Sequence, residues 1–371
     1  MKIVILCGVL EPGKCGGGDY SRNLAGELIS QGHEVAICAL MDSFVGTNSI
    51  IEEVQQTNQN KVSVIRLPYL NGYEANSKIA LEWINAFNPD WISLQYGPFA
   101  FHPKGLPFGL SKAIKKISEG RKLHIMFHEL WVGMNTEASI KLKIWGKVQK
   151  GMIASFINAL NPSLIQTQTK LYQHQLRRIG SKASILPLFS NIKVAPFHKK
   201  TEQQNNLRFV LFGAIHPEAP VEKFAYSVSR YATRNKLEIE IIFIGRSGNE
   251  LQNWMNVCQL EGIKTIVMGE QPSSIISEVL QSATLGISTT PILIAEKSGT
   301  IAAMHQHGLS VLCVCRAWTV KGFSKKYLPF KVQLFKGDGL SQYLSPKNKG
   351  GSINTVTSVA NQFIDSLIKL K

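Results

Sequence analysis

Short apolar runs alternate with amphipathic stretches along nearly the whole chain. Runs at 2–7, 34–40, 62–66, 90–95, 122–127, 163–167 and 183–187 read as strands, and stretches near 19–31, 75–87, 106–119, 136–157 and 169–179 carry apolar residues at helical spacing. This βαβ alternation implies a mostly parallel sheet covered on both faces. The polar segment His198–Asn206 interrupts it and reads as a linker. The alternation restarts with strands at Leu207–Phe212, Glu238–Ile244, Lys264–Met268, Thr284–Ser288 and Leu309–Val314, with helices between. The segment from Asn354 to Leu370 places Val356, Val359, Ala360, Phe363, Ile364, Leu367 and Ile368 on one helical face. The expectation is therefore α/β: two doubly wound domains, residues 1–197 and 207–350, followed by an amphipathic helix over 354–371. Ligands of open parallel sheets bind in the crevice at the carboxyl ends of the strands, so loops there should carry the chemistry.

A chain of 371 residues, 44% hydrophobic, suits two cores of ordinary size. Its 41 Lys and Arg against 25 Asp and Glu give a net charge of +16, which attracts phosphorylated substrates, acidic glycans, nucleic acid or a lipid surface without choosing among them. The six cysteines form no CxxC pair, and Cys7, Cys38, Cys313 and Cys315 sit in apolar strand-like runs, as reduced core residues do. With no basic-then-apolar leader and no run of membrane-spanning length, the expected location is cytoplasmic, either free or peripheral at the inner membrane face.

The chemistry should centre on Glu296-Lys297-Ser298-Gly299-Thr300, which opens a helix and is followed by His307-Gly308 and an apolar strand. The unpaired N–H groups of a helix start favour an anion; Gly299 permits close approach, Ser298 or Thr300 can cap, and Lys297 adds a full charge. A diphosphate would suit this corner, although an ordinary capped helix reads the same way. Near the start of the chain, Gly8 to Lys14 matches GxxxxGK, but Cys15 stands where a P-loop needs Ser or Thr, and three glycines follow where the helix should run. A nicotinamide fingerprint is excluded by the distance of Gly16-Gly17-Gly18 from the first strand. What remains is a long loop ending in a glycine bend before a helix that Asp19 could cap, or a flexible turn with a good cap.

With Gly16-Gly17-Gly18-Asp19-Tyr20-Ser21-Arg22, Gly32-His33-Glu34-Val35, Gln95-Tyr96-Gly97-Pro98-Phe99, Phe127-His128-Glu129-Leu130-Trp131 and the stretch from Glu296 to Gly308, all in the expected order, the chain resembles the GT-B glycosyltransferases, most nearly the retaining family 4 type. The resemblance covers almost the whole chain. It implies two Rossmann-like domains facing across a cleft, an acceptor-side domain at 1–197, a donor nucleotide-sugar domain at 207–350, and a closing helix that packs back on the first domain. Position by position, it implies Gly17 and Gly18 beside the donor's pyrophosphate, His128 facing the transferred sugar, Glu296 on sugar hydroxyls, and Gly299 and Thr300 offering backbone N–H to the diphosphate. Met304 stands where such enzymes carry a second glutamate for the ribose, and the loop beginning at Gly213 lacks their arginine. Lys297 and Arg246 could supply the phosphate charge; for Arg246 a solvent-facing loop cation is an equal reading.

The implied reaction moves a sugar from a nucleotide-diphosphate donor to a hydroxyl of a glycan, lipid or small molecule, with retention and with neither metal nor cofactor. In an inverting reading Asp19, Glu129 or His128 would deprotonate the acceptor. Tyr20, His102 and Glu129 are the acceptor-side candidates. A sugar-nucleotide epimerase or hydrolase, and a binding protein that has lost catalysis, stay open, because fold does not fix function. A basic helix at 137–158 carries Lys141, Lys143, Lys147 and Lys150 beside an apolar set; a solvated helix over a core stripe accounts for it, and a contact with anionic lipid or acidic glycan is the sharper alternative. Nucleic acid is not expected, since no aromatic platform interleaves with these lysines.

Overall fold

The computed structural model describes residues 1–371 except 48, 58–59, 197–205, 325, 330, 338, 345–353 and 371. The linker expected at 198–206 lies outside the described residues apart from Asn206, which opens a strand. The chain divides into two compact units, Met1–Pro187 with Val356–Lys371, and Leu188–Thr355.

The first unit runs β1 (Lys2–Cys7), α1 (Gly16–Ser30), β2 (Glu34–Asp42), β3 (Ile51–Thr57), β4 (Asn60–Pro68), α2 (Gly72–Phe87), β5 (Trp91–Tyr96), α3 (Pro98–Phe101), α4 (Leu110–Ser118), β6 (Lys122–Phe127), α5 (Ile140–Leu160), β7 (Leu164–Thr167), α6 (Lys170–Arg177) and β8 (Ser184–Ile185). The strand order is β3-β4-β2-β1-β5-β6-β7-β8, parallel throughout except for the antiparallel β3–β4 pair. β1 and β5 are buried along almost their whole length, as strands covered by helices on both faces must be. β3 departs from the sequence expectation, which has no strand there. Its residues alternate between half-buried and exposed, and Glu52, Glu53, Gln55 and Gln56 give it the charged, polar character of an edge strand rather than an apolar run.

The second unit runs β9 (Asn206–Phe212), α7 (Val221–Asn235), β10 (Glu238–Ile244), α8 (Leu251–Leu260), β11 (Lys264–Gly269), α9 (Ser273–Ser282), β12 (Leu285–Ser288), α10 (Gly299–Gln306), β13 (Val311–Cys313), β14 (Val332–Leu334) and α11 (Ser341–Leu344). Its strands are parallel in the order β11-β10-β9-β12-β13-β14, the doubly wound arrangement in which the sheet grows outward in both directions from its first strand. β14 is too short to have been visible as an apolar run. The core is packed around Phe209, Phe224, Phe243 and Trp254. All six cysteines are free thiols, and five of them are buried.

The last helix, α12 (Val356–Ile368), belongs to the first unit. It buries Val359, Ala360, Phe363, Ile364 and Leu367. Phe363 lies 5.1 Å from the His124 ring on β6, Gln166 Nε2 on β7 donates to Ser366 Oγ at 3.3 Å, and Lys122 Nζ donates to the Leu370 carbonyl at 2.5 Å. Burying one large aromatic ring is worth several kcal/mol once the cavity it would leave is counted. Phe363→Ala should therefore cost about 3–5 kcal/mol in urea unfolding followed by circular dichroism; a loss below about 1 kcal/mol would mean that the helix contributes nothing to that core.

Candidate functional site

In both units the sheet order reverses beside the first strand, between β1 and β5 and between β9 and β12, and the candidate residues follow the carboxyl ends of β1, β5, β6, β9, β10 and β12, on the connecting segments or in the first turns of the next helix.

In the second unit the loop after β9 turns at Gly213, whose φ of +85° favours glycine and whose missing Cβ would fall 2.8 Å from Thr300 Cγ2. The loop backbone thus sits directly on the start of α10. Thr289, buried after β12, accepts from the His216 N–H at 2.8 Å and ties the β9 loop to the β12 loop. Ser298 caps α10, accepting from Ile301 N at 3.4 Å, and its hydroxyl lies 3.0 Å from that of Thr300. Gly299 is exposed with open space beside it. The field of Lys297 reaches His216, and so does that of Arg316, which follows β13 and binds Glu218 at 3.1 Å. Burial, then Arg316 and Lys297, lowers the His216 pKa and keeps the ring neutral. A capped helix start, two cations and a glycine turn therefore converge on one end of this sheet. This is the composition of an anion site.

Glu296 closes a 3₁₀ turn at Ile292–Lys297 and accepts from the Tyr327 hydroxyl at 2.7 Å. Burial and this carboxylate both push the Tyr327 pKa up, so the phenol stays protonated and holds the carboxylate in place. Neither Arg316 nor Tyr327 was among the sequence candidates. Arg316 sits just beyond the end of an apolar run, where a functional loop should begin; Tyr327 gave no local signal. Arg246 is on the neighbouring β10 loop, but its guanidinium pairs with Glu270 at 2.8 Å and stays exposed. Met304, at the position of the expected ribose glutamate, is fully buried, and its sulfur occupies the space a Cβ on Gly286 would need.

In the first unit the expected glycine bend is instead helical. Gly16, Gly17 and Gly18 form the first turn of α1, with Cys15 at the cap and Asp19 N–H bonded to the Cys15 carbonyl at 2.9 Å. Gly16 and Gly17 leave open space, whereas a Cβ on Gly18 would meet Val9 O at 2.6 Å, so Gly18 lets the helix pack against the β1 loop. Asp19 does not cap the helix. It binds Arg22 and accepts from Gly13 N at 3.0 Å, while Arg22 also donates to Leu10 O at 2.5 Å. The pair clamps the loop over the helix. A second clamp forms where the buried Arg66 binds Asp42 at 2.7 Å and Glu11 at 2.6 Å.

His128 follows β6, its N–H donated to Tyr96 O at 2.9 Å. Its Nε2 donates to Gln95 Oε1 at 2.8 Å, Gln95 Nε2 donates to Ser93 Oγ at 2.9 Å, and Ser93 Oγ lies 2.9 Å from His124 Nδ1. The chain fixes the orientation of the His128 ring from within the core. Tyr20, buried beneath, packs edge-on against that ring at 4.9 Å, and burial pushes its pKa up. Glu129 lies over Gly97, its Oε2 3.8 Å from where a Cβ would stand. His102 accepts through Nδ1 from Lys104 N at 3.2 Å and Leu106 N at 3.4 Å, which makes it an organiser of its own loop. Among the described residues no group of three His, Cys, Asp or Glu could hold a metal ion.

No protein-family model matches the chain, and no curated protein matches it in sequence. Solved structures match its fold. HepE from Anabaena, in complex with UDP-glucose, is similar over 100% of this chain and 90% of its own, with 13% identity and a TM-score of 0.54. The lipopolysaccharide outer core galactosyltransferase WaaB matches over 100% and 99%, with 13% identity and a TM-score of 0.56. A Listeria monocytogenes protein assigned as a UDP-N-acetylglucosamine 2-epimerase matches over 99% and 95%, with 13% identity and a TM-score of 0.53. The chain has the GT-B fold, two Rossmann-like units in tandem; at such identities the likeness concerns the fold and does not reach the family 4 type.

Two outcomes follow from this geometry. Burial, reinforced by His128, lowers the His124 pKa from its ordinary 6.5 to about 3. Between those values the unfolded chain binds a proton there that the folded protein refuses, so stability falls as the pH drops through that window. His124→Asn should shrink the loss of unfolding free energy between pH 7 and about 4.5 by roughly 2 kcal/mol; equal losses in both proteins would contradict it. Met304→Glu would bury an unpaired carboxylate and should cost roughly 3 kcal/mol or more in urea unfolding; a neutral result would place the side chain outside the core.

Proposed function

We propose that this protein is a glycosyltransferase that takes a sugar from a nucleotide-diphosphate donor, with the donor's diphosphate held in the second unit. The observation that carries the reading is the convergence of Lys297, Arg316 and the capped start of α10 beside the Gly213 turn. The fold supports it, since HepE is a GT-B protein in complex with UDP-glucose and WaaB is a galactosyltransferase. In the reaction, the bond from the anomeric carbon to the phosphate oxygen breaks, a bond to the acceptor oxygen forms, and the departing diphosphate accumulates negative charge. In this reading the helix start and the two cations stabilise that charge, and no metal is called for. With retention, a departing phosphate oxygen takes the acceptor's proton on the same face, so no protein base is required. Glu296, oriented by Tyr327, is the group for the sugar hydroxyls, and His128, oriented by Gln95, is the candidate facing the transferred sugar. The acceptor is a hydroxyl of a glycan, lipid or small molecule. Because Met304 is turned into the core, the ribose must be recognised by other groups.

UDP and UDP-sugars should raise the melting temperature of the protein, since a ligand of the folded state stabilises it by mass action. Lys297→Ala and Arg316→Ala should each weaken nucleotide binding about 10- to 100-fold, the range for loss of one charge-assisted phosphate contact. A panel of nucleoside diphosphates and nucleotide sugars without any shift would sink the proposal. Donor converted in the absence of acceptor would instead mark an epimerase or hydrolase, and tight binding without turnover a binding protein.

A further inference from the structure

Helix α5 is apolar on two opposite faces. Its inner face packs into the unit except at Leu142, which is 45% exposed. Gly146 packs so closely on Val132 O that a Cβ would overlap it, Gln149 accepts from Val132 N at 2.9 Å and donates to Gly105 O at 3.0 Å, and Ile153 and Phe156 are buried. The outer face carries Ile140, Ile144 and Val148, four residues apart and therefore on one stripe, with 76%, 58% and 45% of their surfaces exposed. These residues are not the core stripe the sequence pattern suggested. The helix also begins at Ile140 rather than Glu137, because Ser139 caps it by accepting from Leu142 N at 3.3 Å. At about 100° per residue, Lys143 and Lys147 flank the outer stripe on one side and Lys141 on the other. No Asp or Glu occurs between Glu137 and Glu202.

A helix that exposes a row of large aliphatic side chains between two rows of lysines, with no acidic residue along its own length, has the pattern of an interfacial helix: aliphatics in the acyl boundary, ammonium groups among the headgroups. A second copy of the chain fits poorly, since stripe-on-stripe pairing would bring the lysines of both copies together. Among the described residues no helix is long and apolar enough to cross a membrane, so the contact is peripheral. We infer that the outer face of α5 docks the protein on an anionic lipid surface, with Ile140, Ile144 and Val148 inserted and Lys141, Lys143 and Lys147 on the headgroups.

The test is sedimentation of the full chain with phosphatidylcholine vesicles, with and without phosphatidylglycerol. Neither donor nor acceptor is present, so the result does not depend on the glycosyltransferase reading. The protein should pellet only with anionic vesicles and be released by salt. Substituting Ile140→Ser, Ile144→Ser and Val148→Ser together should reduce binding at least ~10-fold, and so should Lys141→Glu and Lys147→Glu together, with the circular dichroism spectrum of the folded protein retained because all five residues are exposed. Negligible binding to both vesicles, equal binding to both, or undiminished binding by the serine variant would overturn the inference. So would a wild-type dimer that the serine variant dissolves, which would make the stripe an interface between copies.

Discussion

The contact of the Gly213 turn with Thr300 is the constraint on which the second unit's site depends. A backbone without a side chain meets the first turn of a helix, and no other residue type leaves room for that meeting while holding the required φ. The approach brings the loops after β9 and β12 together; the Thr289 hydroxyl locks them, and the loop after β13 adds Arg316 beside them. Charge is gathered here by strand order, since β9, β12 and β13 are adjacent in the sheet and far apart in sequence. His216 records the result: three basic side chains share this corner, and burial and its neighbours' charge leave the imidazole neutral.

The first unit is organised differently. Around its β1 loop the charges are paired and inward, Asp19 with Arg22 and Arg66 with Asp42 and Glu11, and they hold backbone rather than offer themselves to a ligand. Its distinctive feature is the run of hydrogen bonds from His128 through Gln95 and Ser93 to His124. Such a buried run is costly unless every member is satisfied, and it fixes a ring orientation better than a single surface contact could.

Most of the architecture was legible because parallel strands covered on both faces are near-continuous apolar runs, and these survive in the sequence at β1, β5, β6 and β10. Strands that bury little escaped: β3 is polar because it is an edge, and β14 has three residues. Gly16 to Gly18 were misread because glycine ordinarily marks a bend, whereas here all three are helical and Gly18 alone is required, by its close packing against Val9. The stretch from Glu296 to Thr300 was legible as a capped helix start. Arg316 and Tyr327 were not, since their relevance comes only from what the sheet places beside them. The outer stripe of α5 shows the limit of periodicity: helical spacing identifies a face, and only packing decides which way it points.

The assignment of α12 to the first unit means that the second unit is inserted between two stretches of one core. His124 and Gln166 meet Phe363 and Ser366 across more than half the chain. During synthesis the surface that α12 covers therefore stays open until the whole second unit has been made.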